Sequence, residues 1–196
     1  MQVNKSSLRL KFIKKRRKLH STKIFFSFDK IFHLIKKNFS KKKPSIAGYY
    51  PSNFEVNILD LLSQACKKNF KVGLPVIKKD YKIDFKCWIP NEPLYVNKYG
   101  ILEPKKQNIT FKPDIILVPL VAFDRNLNRI GYGKGYYDRA LKNLASKKKI
   151  LTIGMAFSFQ EASIIPTNQY DYNLDCILTD RNLIYRKKAN ENFIFG

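Results

Sequence analysis

The sequence predicts an α/β fold in a single domain, and three features of the chain lead to this prediction. Residues 115–118 form a continuous apolar run, which is typical of a strand buried on both faces of a parallel sheet. Strand-like and helix-like segments alternate along the 196 residues, a pattern that favours parallel strands joined by helical crossovers. A glycine-rich segment at 131–139 follows a strand and opens a helix. Together they predict a three-layer α/β/α, Rossmann-like domain with a mainly parallel central sheet, spanning residues 1–196.

Two amphipathic helices are predicted in residues 1–43, because apolar residues recur every three or four positions in 8–19 and again in 24–39. Ser21 or Thr22 is a candidate N-cap for the second helix. The segment contains 15 of the 38 Lys and Arg residues but only one acid, Asp29. We therefore expect a basic helical segment that packs on the domain.

The rest of the chain alternates between the two kinds of element. Ser52 and Glu55 form a capping-box pattern, which predicts a helix through 58–66. A further helix follows residue 136 and ends in the lysines at 147–149, where cations suit the negative helix terminus. The remaining predicted strands are 46–50, 72–77, 85–89, 151–156 and 176–178, and a long polar loop separates the third of these from the run at 115–118.

Composition limits the classes of function. The net charge of +23 suggests a nucleic-acid or anionic partner, although a compositional bias of the source explains it equally well. The longest apolar stretch, 115–123, is far shorter than the roughly 20 residues that span a bilayer, so no membrane segment is expected. The basic N-terminus lacks the apolar core of a secretory signal, and three scattered cysteines indicate reduced thiols rather than disulfides or a zinc site. We expect a cytoplasmic monomer.

The segment GYGKGYYDR at 131–139 is the strongest candidate binding motif. Glycines allow backbone amides to approach phosphate oxygens, and a helix N-terminus adds partial positive charge at the same place. Lys134 and Arg139 can add charge-assisted contacts to a polyphosphate. No Ser or Thr follows Lys134, so the segment is not a P-loop, and its glycine spacing is not the dinucleotide-binding one. From spacing alone, a purely structural tight turn is about as probable as a phosphate site.

Four sequence blocks resemble those of the 5-formyltetrahydrofolate cyclo-ligases, also called 5,10-methenyltetrahydrofolate synthetases. They are GILEP at 100–104, VPLVAFD at 118–124, RIGYGKGYYDR at 129–139 and DCILT at 175–179, and the resemblance covers roughly residues 5–180. It implies an enzyme that uses ATP and Mg²⁺ to convert 5-formyltetrahydrofolate into 5,10-methenyltetrahydrofolate. In that reaction the formyl oxygen takes up the γ-phosphoryl group, N10 attacks the activated carbon, and phosphate leaves.

The resemblance also implies roles for individual residues. The Lys-x-x-Leu-Arg pattern at 5–9 matches a family element whose lysine reaches the phosphates. The implied ATP-binding residues are Lys5, Arg9, Arg129, Gly131, Tyr132, Gly133, Lys134, Gly135, Tyr136 and Asp138, and the implied catalytic residues are Lys134, Tyr137 and Arg139. Lys5 and Arg9 are equally well explained as solvated surface cations.

Folate and metal contacts are implied for a smaller set. Glu55, Trp88 and Tyr137 are the expected folate contacts, but a helix cap explains Glu55 and core packing explains the two aromatic residues. Asp138 and Asp171 are the expected Mg²⁺ ligands, although an acid in the first turn of a helix needs no metal.

The sequence also departs from the family pattern. Leu120 and Leu127 stand where glycines are usual, and Asn168 and Tyr170 replace a glutamate and a histidine. These departures are consistent with a relic fold, and the net charge of +23 with its basic first 43 residues suggests nucleic-acid binding. The alternative function is a basic nucleic-acid-binding protein on a relic α/β fold.

Overall fold

The computed structural model describes residues 4–19, 24–185 and 193–195. Within these ranges the helices are α1 (Lys5–Leu19), α2 (Asp29–Asn38), α3 (Leu59–Lys67) and α4 (Tyr136–Ala145), with one 3₁₀ turn at Ser158–Gln160. No helix in the described ranges has both the length and the apolar character needed to cross a membrane.

The strands of the described residues are, in chain order, β1 (Ile46–Ala47), β2 (Val72–Ile77), β3 (Ile83–Cys87), β4 (Tyr95–Val96), β5 (Leu102–Glu103), β6 (Thr110–Phe111), β7 (Ile115–Pro119), β8 (Ala122–Phe123), β9 (Arg129–Ile130), β10 (Leu151–Met155), β11 (Cys176–Leu178) and β12 (Leu183–Tyr185). Eight of them form one sheet, in the order β12-β11-β10-β7-β1-β2-β3-β6. The central five strands, β11 to β2, are parallel, and the flanking strands are antiparallel. The mainly parallel sheet is therefore confirmed.

Side chains of the central strand β7 alternate between two cores. Ile115 and Leu117 pack with α2 and α3 on one face of the sheet. Ile116 and Val118 pack with Leu141 and other residues on the opposite face, under α4. The strand is buried on both sides because helices cover both sides, and this arrangement confirms the three-layer prediction.

Helix α1 packs outside these layers. Its Phe12 joins a small apolar cluster with Val121, Ala122 and Ile130, at the hairpin formed by β8 and β9. This hairpin directly follows β7, so α1 lies at the carboxyl end of the central strand. The two N-terminal helices thus contact different surfaces of the domain.

Two predicted helix starts are wrong. Helix α2 begins at Asp29 rather than near residue 24, because Phe26 and Phe28 pack on the core from non-helical chain. The proposed caps Ser21 and Thr22 lie outside the described residues. Helix α3 begins at Leu59 rather than after Ser52.

The reason for the late start of α3 is local backbone geometry. Asn53 and Phe54 have φ angles of 47° and 60°, in the left-handed region that a right-handed helix excludes. Ser52 and Glu55 therefore close a tight turn, in which the carboxylate accepts the Ser52 amide at 2.9 Å. The capping pattern forms locally without starting a helix.

Several strand predictions also need correction. The strand predicted at 46–50 is the two-residue β1, and the one predicted at 85–89 is shifted to β3. The polar loop contains the small hairpin of β4 and β5, which has no alternating pattern long enough to identify it. Pro75 does not interrupt β2. The neighbouring strand β1 pairs only with Val72 and Gly73, so no backbone N–H is needed at Pro75 for a hydrogen bond to β1.

Candidate active site

A cavity of about 840 Å³ opens at the carboxyl end of the central parallel strands. Its walls come from the chain after β1, the end of β7, the N-terminal part of α1, and the segment 129–139. Ligands of open α/β sheets usually bind at this edge. All but one of the residues expected to form the site line this cavity: Lys5, Arg9, Glu55, Arg129, Gly131, Tyr132, Gly133, Lys134, Gly135, Tyr136, Tyr137, Asp138, Arg139 and Asp171.

Trp88 is the exception. Its side chain is buried in the core between the sheet and helices α2 and α3, apart from the cavity lining. Its indole N–H has no hydrogen-bond partner among the described residues. The structure therefore favours the packing interpretation of Trp88 over folate contact.

The glycine-rich segment connects β9 to α4. Gly133 and Gly135 have φ angles of 94° and 64°, which favour glycine, and Gly135 stands immediately before the first turn of α4. Within the described ranges, none of the five backbone amides of 131–135 donates a hydrogen bond to another protein group. These amides are available to a ligand at the start of a helix.

Helix α1 brings two cations to this segment, one turn apart. Arg9 donates from Nε to the Gly131 carbonyl oxygen at 2.8 Å, and its guanidinium lies beside Gly133. Lys5 forms an ion pair with Asp171, with 2.7 Å between Nζ and Oδ1. The two residues are therefore part of the cavity wall rather than solvated surface cations.

Asp171 and Asp138 are both held by neighbours. The turn at 168–171 presents the Asn168 amide to the Asp171 carboxylate at 2.7 Å. The Oδ1 atom of Asp138 accepts from Arg129 at 2.8 Å and from the Tyr172 amide at 3.1 Å. Arg129 is almost fully buried, so its guanidinium fixes Asp138 and reaches the Tyr172 carbonyl instead of pointing freely into the cavity.

The hairpin of β4 and β5 contributes Tyr99, which the sequence analysis did not identify. The Lys134 ammonium lies 3.6 Å from the centre of the Tyr99 ring, and the Tyr99 and Tyr136 hydroxyl oxygens are 3.0 Å apart. The hydrogen bond to Tyr136 and the charge of Lys134 lower the pKa of Tyr99. Arg139 turns back to the Lys134 carbonyl and stacks over Tyr81, 5.1 Å from its ring centre. The GILEP block begins at residue 100, directly after Tyr99, and so does not include this residue.

Another part of the cavity lining, away from the glycine-rich segment in sequence, contains the half-buried Glu55 carboxylate. Burial raises the pKa of Glu55, while hydrogen bonds from Ser52 and Tyr132 and the charge of Arg16 lower it. Burial and the nearby Glu55 carboxylate also raise the pKa of Tyr137. The Tyr137 hydroxyl is buried and has no partner in the described part of the chain, so it is a polar group available to a ligand.

Two of the departures from the family pattern have visible structural consequences. Leu127 has a φ of 62° and is 2% exposed, so the turn between β8 and β9 keeps a glycine-like backbone around a buried leucine. Asp124 stabilises this turn by accepting the amides of Asn126 and Asn128 at 2.9 and 3.1 Å. Leu120 is buried against Gly154.

Comparison with known proteins agrees with the resemblance seen in the sequence. The model of the 5-formyltetrahydrofolate cyclo-ligase family matches residues 1–180. The chain belongs to this family. A 5-formyltetrahydrofolate cyclo-ligase of Haemophilus influenzae is 34% identical over 145 residues, which are 70% of this chain and 76% of that protein. The Escherichia coli cyclo-ligase is 29% identical over 141 residues, 69% of this chain and 77% of that protein.

Two solved structures share the fold. The 5,10-methenyltetrahydrofolate synthetase of Aquifex aeolicus superimposes with a TM-score of 0.71 at 30% identity and covers 95% of both chains. The corresponding enzyme of Mycoplasma pneumoniae gives a TM-score of 0.63 at 27% identity, over 91% of this chain and 99% of that one. The similarity thus extends across the whole domain, including α1.

Proposed function

We propose that this chain converts 5-formyltetrahydrofolate into 5,10-methenyltetrahydrofolate, with hydrolysis of ATP to ADP and phosphate, in the cavity between α1 and the segment 129–139. The supporting observation is that family membership coincides with five unpaired amides, at the start of α4, on the wall of one cavity. A single monomeric domain in the cytoplasm is the form of the protein that we propose.

The nucleotide end of the cavity is assigned to the glycine-rich segment. The amides of 131–135 are oriented by the loop and by α4, and they would surround the triphosphate together with the partial charge of the helix terminus. Positive charge at this end of the cavity comes from Lys5, Arg9 and Lys134. Tyr136 holds Tyr99 beside these cations through a hydrogen bond between the two hydroxyls. Arg139 supports the loop through its bond to the Lys134 carbonyl.

The folate end is assigned to the part of the cavity lined by Glu55 and Tyr137, both half-buried. The Glu55 carboxylate already accepts hydrogen bonds from Ser52 through one oxygen, and its second oxygen can accept from the N–H groups of a pteridine ring. The unpartnered Tyr137 hydroxyl lies in the same part of the cavity and would contact the substrate or the transferred group. Trp88 is not part of this proposal, because it packs in the core.

The two aspartates suit a magnesium ion shared with the nucleotide. Mg²⁺ usually binds through one or two carboxylates together with substrate phosphates, and Asp138 and Asp171 both line the cavity near the glycine-rich segment. The cation at Asp171 is now the Lys5 ammonium, so the site already accepts positive charge. Magnesium bound there would neutralise the phosphate oxygens during transfer.

The protein contributes mainly positioning and charge to this reaction. The formyl oxygen and the γ-phosphate must be brought in line, and the cavity holds the two substrates at opposite ends of one space. The cations of α1 and Lys134 stabilise charge that develops on the phosphoryl oxygens. N10 then displaces phosphate from the activated carbon.

Direct turnover tests the proposal. The purified chain, with ATP, Mg²⁺ and 5-formyltetrahydrofolate, is expected to produce the absorbance of the methenyl product in an amount equal to the ADP formed. Folded protein that binds neither substrate would contradict it. Steep salt-dependent binding of DNA or RNA that survives substitution of Lys134 and Asp138 would favour the nucleic-acid alternative instead.

A further inference from the structure

Arg16 is buried, although it belongs to the strongly basic helix α1. It is 2% exposed, and its guanidinium donates to the Leu120 carbonyl oxygen at 3.2 Å and to the Tyr132 hydroxyl. Within the described ranges no carboxylate forms an ion pair with it, and its Nε has no partner. Burial of a guanidinium without an ion pair is costly. This cost indicates that Arg16 does more than fill space.

Tyr132 connects Arg16 with the cavity that Glu55 also lines. A guanidinium has no acceptor, so the Tyr132 oxygen must accept the hydrogen bond from Arg16. The hydroxyl proton is then left for another acceptor, and the Glu55 carboxylate lines the same cavity as Tyr132. Burial raises the pKa of Glu55, and Tyr132 and the charge of Arg16 oppose that shift. The Tyr132 ring lies over the same guanidinium, 5.9 Å from its centre to the guanidinium carbon. Arg16 therefore fixes the orientation of a hydroxyl on the wall of the cavity that Glu55 also lines.

The position of Arg16 on α1 explains how it reaches Tyr132. Lys5, Arg9, Phe12 and Arg16 are separated by four, three and four residues, which places all of them on one face of a helix. The first two contact the nucleotide end, Phe12 packs on the hairpin of β8 and β9, and Arg16 reaches Tyr132. One face of a single helix thus serves both ends of the cavity.

We propose that Arg16 is a positioning residue for folate binding. It holds the Tyr132 hydroxyl in a fixed orientation on the wall of the cavity that Glu55 also lines, so that the hydroxyl and the carboxylate are presented to the folate together. This inference rests on the proposed function, because it takes Glu55 as the group that binds the ring. Arg16 itself does not touch the substrate.

Arg16→Met tests this role, with Lys14→Met as the matched control because Lys14 is an exposed cation of the same helix. Loss of the hydrogen bond that the charged Arg16 donates to the Tyr132 hydroxyl should raise the KM for 5-formyltetrahydrofolate about tenfold. The KM for ATP should change less than about twofold, since Arg16 lies at the other end of the cavity. The acid limb of kcat/KM for the folate should move to higher pH, because a positive charge that lowers the pKa of Glu55 is gone. Lys14→Met should show none of these changes.

Two further variants separate positioning from a role in folding. Tyr132→Phe removes the link, so it should raise the KM for the folate as well, and the double variant should be no worse than the more affected single variant. Arg16→Lys keeps the charge but loses one donor, so the pH limb should stay in place while the KM rises less than in Arg16→Met. These two variants decide the question if Arg16→Met does not fold.

The outcomes are distinguishable. An active wild-type protein whose Arg16 variants match Lys14→Met in the KM for folate and in pH profile overturns the role of Arg16 alone. Strictly additive effects of the Arg16 and Tyr132 substitutions also overturn it. A folded wild-type protein that forms no methenyl product contradicts the proposed function itself.

Discussion

Replacement of Gly133 by alanine places a methyl group in the proposed phosphate loop. Gly133 has a φ of 94°, where an L residue costs about 1–2 kcal/mol. The new Cβ would lie 3.2 Å from the Arg9 guanidinium, which must shift. Alanine restricts the unfolded chain and returns about 0.5 kcal/mol of stability. We expect Gly133→Ala to lower the free energy of unfolding by about 1 kcal/mol.

Gly131→Ala is the matched variant in the same loop. A Cβ at Gly131 meets no atom within 4 Å, and its φ does not lie in the positive region. We expect the free energy of unfolding to stay within about 0.5 kcal/mol of the wild type. The methyl group would nevertheless project into open space beside the amides, where phosphate oxygens are proposed to bind. Both variants should therefore weaken ATP binding, by about tenfold or more.

Urea unfolding and calorimetric titration with Mg-ATP measure the two effects separately. Equal losses of stability in Gly131→Ala and Gly133→Ala would refute the argument from backbone geometry. Wild-type affinity for ATP in both variants would refute the assignment of the loop to phosphate binding. The structure predicts that only Gly133→Ala loses stability and that both variants lose affinity for ATP.

Three more predictions follow from single residues. Leu127→Gly relieves about 1–2 kcal/mol of strain from the left-handed backbone, but it also removes a buried leucine side chain worth about 3 kcal/mol or more. Urea unfolding should therefore show a net decrease of roughly 1–3 kcal/mol in the free energy of unfolding. Lys134→Ala should raise the KM for ATP about tenfold with little change in stability, since Lys134 is exposed and contacts Tyr99. Burial raises the pKa of Glu55 in the folded protein, so the contribution of this residue to stability should be lost as pH rises from the ordinary glutamate pKa through the raised one. Glu55→Gln should remove this part of the dependence of the unfolding free energy on pH. An unchanged pH dependence in Glu55→Gln would contradict the burial argument.

The sequence predicted the layers of the domain because each depends on a local pattern. The apolar run 115–118 indicated a strand covered on both faces, and helical periodicity indicated α3 and α4, although not where α3 begins. Helix starts were less predictable, since the turn at 52–55 satisfies a capping pattern without a helix. The left-handed backbone of Asn53 and Phe54 that prevents it has no sequence marker comparable to glycine.

The candidate site was only partly predictable, because contacts between distant segments decide which side chains line it. The glycine-rich segment and the Lys5–Arg9 pattern are contiguous in sequence, and both line the cavity. Trp88 was a candidate folate contact, although aromatic residues are more often structural, and it packs in the core. Tyr99 stands just outside the GILEP block, so no motif included it. Which aromatic side chain faces a cavity depends on how distant segments pack.

From the sequence by itself came the fold class, the resemblance to a folate enzyme and the loop at the start of α4, because these depend on residues that are neighbours in the chain. The pairing of Lys5 with Asp171, 166 positions apart, and the burial of Arg16 beneath Tyr132 required the tertiary structure. The cations of helix α1 all carry the same charge, so the sequence alone does not distinguish them. Packing alone decides which of them remain in water and which are held in the cavity wall, because the free energy of each depends on the acceptors that distant segments bring to it.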